Sequence, residues 1–211
     1  MPVRAVDVAR FGALMSALSV VVAAHGADAS AGRAKTEVCT TCHGAEGHST
    51  NLLIPSLAGQ PPLYIYYQLL QFREHRRTNE LMSPFAAKLT DTDMKDIAAY
   101  YSEQTDTDTK GMTALLLEQK PTGTNPAGEV GSESGKAVVA RNHCDSCHTP
   151  TFAGQNQIPR LAGLQYDYLV KQLRGFKSGE RSDIDGTMSE AAQPLSDQDI
   201  TDVSRYLAGL R

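Results

Sequence analysis

The stretch RNHCDSCHTP, residues 141–150, decides how the rest of the chain reads. Cys144 and Cys147 stand between His143 and His148, as four donors for one metal ion would. Three chemistries fit that spacing: a zinc site, a dithiol redox pair and a covalently attached haem. The chain holds 4 cysteines, and the other two, Cys39 and Cys42, are also followed directly by histidine in CTTCH, residues 39–43. At this composition a chance C-x-x-C-H arises in roughly two chains per thousand. Here two such motifs use every cysteine.

An internal repeat separates the three chemistries. IPSLAGQPPLYIYYQLLQF, residues 54–72, aligns with IPRLAGLQYDYLVKQLRGF, residues 158–176. Further on, MSPFAAKLTDTDMKDIAAYY from Met82 aligns with MSEAAQPLSDQDITDVSRYL from Met188. In the first copy Val38 stands where the second has His143, so His143 is not shared chemistry and a tetrahedral zinc site lacks a ligand in each copy. A thioredoxin-like dithiol needs a βαβ context, whereas the flanks AGRAKTEV and GKAVVARN read as helix. That leaves haem. On a helical turn Cys39 and Cys42 share a face and can each form a thioether to one haem vinyl group, with His43 reaching the iron from the same side. Cys144, Cys147 and His148 repeat the arrangement.

Two covalently attached haem c groups are therefore expected, and each iron needs a sixth ligand. Met82 and Met188 occupy equivalent places ahead of LTD and LSD and are the expected axial thioethers, so the metal ligands are His43, Met82, His148 and Met188. Met82 precedes Ser-Pro, which favours extended backbone. Met94 lies on a helical stripe with Ile97 and Tyr101 and reads as core, and Met112 has no counterpart in the second copy. His48 and His75 read as surface residues.

The fold class is all-α. In each copy a first helix carries the cysteines, a second spans about 62–74 or 165–177, and a last spans about 91–103 or 197–209. Thr90-Asp-Thr-Asp93 and Ser196-Asp-Gln-Asp199 open the last helices as capping boxes with Asp in place of Glu. Ile97, Tyr100 and Tyr101, like Val203, Tyr206 and Leu207, should pack on the first helix. Tyr64, Ile65, Leu69 and Phe72, with Tyr168, Leu169, Leu173 and Phe176, mark the inner face of the middle helices. A haem filling much of each core explains how domains this small are stable.

Residues 1–29 read as an export signal. Arg4 and Arg10 precede an apolar run over 11–24, and Ala27 and Ala29 form an A-x-A cleavage pattern. The run is shorter than the about 20 residues that span a bilayer; retained, it would act as an N-terminal anchor. Residues 30–103 and 132–211 are the two haem domains, joined by a linker at 104–131 whose ALLLE patch can strap onto a domain. A formal net charge of -4 argues against a general nucleic-acid binder.

With IPxLAG, a Tyr…QL…F helix and a Met before L[ST]D in each copy, the sequence over about 30–211 resembles the cytochrome c4 group, diheme class I cytochromes c with tandem domains. The resemblance implies that Pro55 and Pro159 orient their domain's histidine through the backbone carbonyl. It also makes Arg77 and Arg181 candidates to pair with haem propionates. The implied function is a periplasmic carrier passing single electrons between a membrane quinol-oxidising complex or dehydrogenase and a terminal oxidase or reductase. That role allows peripheral association with the membrane. REHRR, residues 73–77, offers a docking patch. The alternatives are a diheme subunit of a dehydrogenase, similar to that of flavocytochrome c sulfide dehydrogenase, and a diheme peroxidase or thiosulfate-oxidising enzyme. An enzyme needs a displaceable sixth ligand, against which two equivalent methionines speak.

Overall fold

The computed structural model describes residues 26–104 and 133–210. Most of the 1–29 segment, nearly all of the linker and Met112 lie outside these residues. The first domain comprises α1 (Ala29–Lys35), α2 (Glu37–His43), a 3-10 turn (Ala45–Gly47), α3 (Pro62–Arg73), α4 (Met82–Ala86) and α5 (Asp91–Glu103). The second comprises α6 (Glu133–Asn142), α7 (Cys144–His148), α8 (Tyr166–Ser178), α9 (Thr187–Ala192) and α10 (Asp197–Gly209). Among the described residues there is no strand, only an isolated bridge between Gln155 and Ile158.

The last helices begin and end where the sequence places them, and the cause is local. Thr90 Oγ1 accepts from the Asp93 amide at 3.1 Å while the Asp93 carboxylate accepts from the Thr90 amide at 3.0 Å. Ser196 and Asp199 make the same exchange at 3.1 and 2.9 Å. Each box satisfies two amides that a helix start leaves open. α5 and α10 then cross α1 and α6 at glycines. A Cβ on Gly32 would lie 2.0 Å from the Asp96 carbonyl oxygen, and one on Gly135 would lie 2.4 Å from that of Asp202.

Ile65, Phe72, Ile97 and Tyr101 are buried in the first domain, and Tyr168, Leu169, Phe176, Val203 and Leu207 in the second. Met94 is fully buried, as expected of a core residue. Tyr64, Leu69 and Leu173 are partly buried against these clusters.

Two local expectations need correction. The cysteine-bearing helix is two segments in each domain, broken at Thr36 and at His143, whose φ of 52° is left-handed and cannot continue a helix. Met82 opens a short helix instead of sitting in extended backbone. Pro84 falls in that helix's first turn, where its missing N–H costs nothing. The short helices α4 and α9 carried too few periodic residues to be read.

The two domains are tied together in a fixed relation. Gln60 clasps the Arg160 backbone, donating to its carbonyl at 3.0 Å and accepting from its amide at 3.0 Å. Gln165 donates to the Ser49 carbonyl at 2.9 Å and accepts from the Ser56 amide at 3.1 Å. The Tyr168 amide donates to the Leu52 carbonyl at 3.1 Å. The second domain thus holds the 49–56 loop of the first by its backbone, and Gln60 of the first holds the backbone of the second.

Candidate functional site

In each domain the short cysteine helix ends on a buried histidine. His43 closes α2 and His148 closes α7. The His43 Nδ1 donates to the Pro55 carbonyl at 2.8 Å, and the His148 Nδ1 donates to the Pro159 carbonyl at 2.9 Å. A carbonyl can only accept, so each bond fixes the proton on Nδ1 and leaves the Nε2 lone pair free for a metal. Burial lowers both imidazole pKa values, against the pull of the carbonyl, so both rings are neutral.

No disulfide joins any of the four cysteines. Cys39 and Cys144 are half-buried, while Cys42 and Cys147 are exposed. Each pair therefore spans from the half-buried side of its helix to the exposed side. His143 is exposed and turned away, its carbonyl accepting from the Ser146 amide at 3.1 Å. Among the described residues no cluster of three or more His, Cys, Asp or Glu side chains could hold a bare metal ion.

Met82 and Met188 are both half-buried. Their backbones are held by different residues: the Met82 amide donates to Asn79 Oδ1 at 2.9 Å, the Met188 amide to Asp183 Oδ2 at 2.7 Å. Asn79 and Asp183 were not singled out from the sequence, although an Asn or Asp shortly before a helix start is a usual signal. The donor set of each domain, two sulfurs one turn apart, a neutral imidazole and a thioether, fits a c-type haem iron.

Arg77 and Arg181 lie where the domains meet. Each guanidinium stacks on a phenyl ring of its own domain, Arg77 at 4.6 Å from Phe72 and Arg181 at 4.4 Å from Phe176. Arg77 donates to Gln68 at 2.5 Å and to Gln172 of the other domain at 3.0 Å. Arg181 donates to Gln172 at 2.6 Å and to Gln68 of the other domain at 3.3 Å. The Arg181 Nε is buried without a partner among the described residues. Two guanidiniums that share neutral amides gain no opposite charge from them, and an anionic group beside them would supply it. Tyr168 sits in this cluster; burial raises its pKa, the charges of Arg77 and Arg181 outweigh that, and it falls to about 8.

The REHRR run does not form one exposed patch. Arg73 pairs with Asp91 at 2.8 Å and Arg77 enters the domain boundary, so only the middle residues face solvent. His48 is half-buried instead of exposed, with its Nε2 unpartnered among the described residues, while His75 is exposed.

Two helical domains whose crevices each offer paired thiols and a carbonyl-held imidazole define a tandem class I cytochrome c. The comparisons agree. Residues 132–211 match the cytochrome c family model, and residues 27–100 match that of cytochrome c oxidase, cbb3-type, subunit III. Cytochrome c4 of Thiocapsa roseopersicina is 41% identical over 188 residues, covering 87% of this chain and 93% of that one. A thiosulfate dehydrogenase electron acceptor of Stutzerimonas stutzeri is 32% identical, covering 82% and 78%. The crystal structure of reduced cytochrome c4 from Pseudomonas stutzeri matches with a TM-score of 0.72 at 29% identity, covering 88% of this chain and 100% of that one.

The chain belongs to the cytochrome c4 family. It is an electron-transfer protein, not an enzyme, and carries two covalently attached haem c groups, one for each C-x-x-C-H motif.

Proposed function

We propose that this cytochrome is a periplasmic carrier that moves single electrons between a membrane quinol-oxidising complex or dehydrogenase and a terminal oxidase or reductase. Residues 1–29 act as the export signal, 30–103 and 132–211 as the haem domains, and 104–131 as the linker. Among the described residues no helix is long and apolar enough to cross a membrane.

Cys39 and Cys42 anchor the first haem and Cys144 and Cys147 the second, with His43 and Met82, then His148 and Met188, on the irons. The observation that carries this is the same Nδ1-to-carbonyl bond in both domains, to Pro55 and to Pro159. It holds each imidazole in the tautomer a metal needs and fixes its ring plane, so little rearranges when the charge of the site changes. A haem ligated by His and Met cycles between two iron oxidation states at a raised potential. With a histidine and a methionine of the chain on each iron, both ligand positions would be filled, which would exclude substrate. Arg77 and Arg181 neutralise the propionates at the domain boundary.

A haem count with a redox titration tests the reading. Two haems per chain and two high midpoint potentials support it, and rapid peroxide turnover counts against it. The similarity to a thiosulfate dehydrogenase electron acceptor favours a second reading, a dedicated acceptor for a dehydrogenase. Copurification with a stoichiometric enzyme from periplasm would distinguish that role from a free carrier.

A further inference from the structure

The domains share their cysteines, their carbonyl-held histidines and their capping boxes, yet differ at several buried positions, among them Met94 against Ile200, Ala98 against Ser204 and Tyr101 against Leu207. Of these only the last pair sets an aromatic hydroxyl against an apolar side chain. Tyr101 of α5 is 0% exposed, and its counterpart in α10 is Leu207, buried and apolar. Leu207 needs no polar partner there. Tyr101 carries a hydroxyl to that depth, and no group among the described residues meets the oxygen at full hydrogen-bond geometry, although Cys39 and Thr36 lie beside it.

The ring that carries this hydroxyl is fixed. It lies on the backbone of Gly47, where a Cβ would come within 2.7 Å of the ring, and its centroid is 5.2 Å from that of Tyr100. Cys39 packs against the same cluster, and the polar groups facing the hydroxyl are Cys39 and Thr36. Thr36 already gives its proton to the Arg33 carbonyl at 2.9 Å. A cysteine sulfur bonded to a second carbon has only lone pairs to offer. Both neighbours are therefore acceptors toward Tyr101, and its O–H is the donor. Burial holds its proton far above the ordinary tyrosine range, so the donor stays neutral and intact.

We propose that Tyr101 makes the two redox centres unequal: its O–H, directed to the Cys39 side of the crevice, favours the reduced state of the first haem. This role requires that Cys39 carry a haem, as proposed above. Reduction adds one negative charge, and the positive end of a fixed dipole nearby stabilises it. The second domain has only Leu207 at that place. Tyr101 is a positioning residue that sets the electrostatics of its site without binding iron.

The test is a potentiometric titration of the full-length holoprotein and its Tyr101→Phe variant, which loses one oxygen and keeps the ring. One of the two midpoint potentials should fall while the other stays. Leu207→Tyr should raise the other midpoint. Tyr101→Leu, which copies the second domain, repeats the reading should the Phe variant incorporate haem poorly. With two haems per chain, midpoints that stay put or move together in Tyr101→Phe overturn the role of Tyr101 alone. Fewer than two haems in the unmodified chain overturns the haem assignment and this role with it.

Discussion

Arg77 donates to Gln172 across the domain boundary at 3.0 Å, although 95 residues separate the two in sequence. Arg181 returns the contact to Gln68 at 3.3 Å, so the pairing is reciprocal. Gln172 also accepts from Arg181 at 2.6 Å, so both guanidiniums converge on it as they do on Gln68. Gln172→Ala therefore strands a donor on each arginine. Bonds to charged groups contribute about 1.5–3 kcal/mol each, and partial solvent access lowers what is realised here. The expected result is a destabilisation of about 1–3 kcal/mol in urea unfolding, with the midpoint for both domains displaced. An unchanged unfolding curve would show that the amide is dispensable at the boundary.

Met82→Ala and Met188→Ala should each keep two covalent haems, because the thioethers rest on cysteine. Each should lose about half of the near-infrared band of Met-ligated ferric haem, and the double variant all of it. The same variants should admit cyanide at one or both irons. Retention of the full band by either single variant would remove that methionine from the iron.

What the sequence made legible was what local rules and the repeat control. The capping boxes at Thr90 and Ser196 placed the last helices to the residue, because their partners are three positions away. The role of the cysteines followed from comparing the copies, since repetition substitutes for a structure, and the pairing of His43 with Pro55 from the resemblance to the cytochrome c4 group. The break at His143 was not visible, as one residue with φ 52° interrupts an otherwise helical composition. The roles of Gln68 and Gln172 escaped for a different reason: their partners lie in the other domain. Their recurrence at the same offset as Arg77 and Arg181 was the available signal. The depth of Tyr101 was readable from its stripe, but its lone hydroxyl was not.

Acid should loosen the first domain through Asp93. The hydrogen bond from Lys35, with that from Thr90, lowers its pKa from 3.8 to about 2. Lys35 also reaches Asp96 at 2.7 Å, bridging α1 to α5. A carboxylate with a depressed folded-state pKa contributes stability above its unfolded value, near 3.8, and loses it as pH falls through about 2. Unfolding followed at fixed urea between pH 5 and pH 2 should show that loss. In Lys35→Met the loss should be smaller, because the largest cause of the shift is gone. A variant with the same acid profile as the unmodified protein would mean that the bridge is too solvated to matter.

The helix crossings make a sharper demand on side-chain size. At Gly32 an added Cβ meets the Asp96 carbonyl oxygen at 2.0 Å and the Tyr100 Cβ at 2.9 Å; at Gly135 it meets the Asp202 carbonyl oxygen at 2.4 Å and the Tyr206 Cβ at 2.5 Å. These obstacles are backbone or the root of a side chain, so neither can swing aside. Alanine favours helix over glycine by about 1 kcal/mol, which on an open face would stabilise. Here the clash should win: prising two helices apart typically costs 1–3 kcal/mol, occasionally more. Gly32→Ala should weaken the first domain and Gly135→Ala the second, each read from the loss of far-ultraviolet helicity in urea. If either alanine variant were more stable than the parent, propensity would outweigh contact and the crossing would be looser than 2.0–2.4 Å implies.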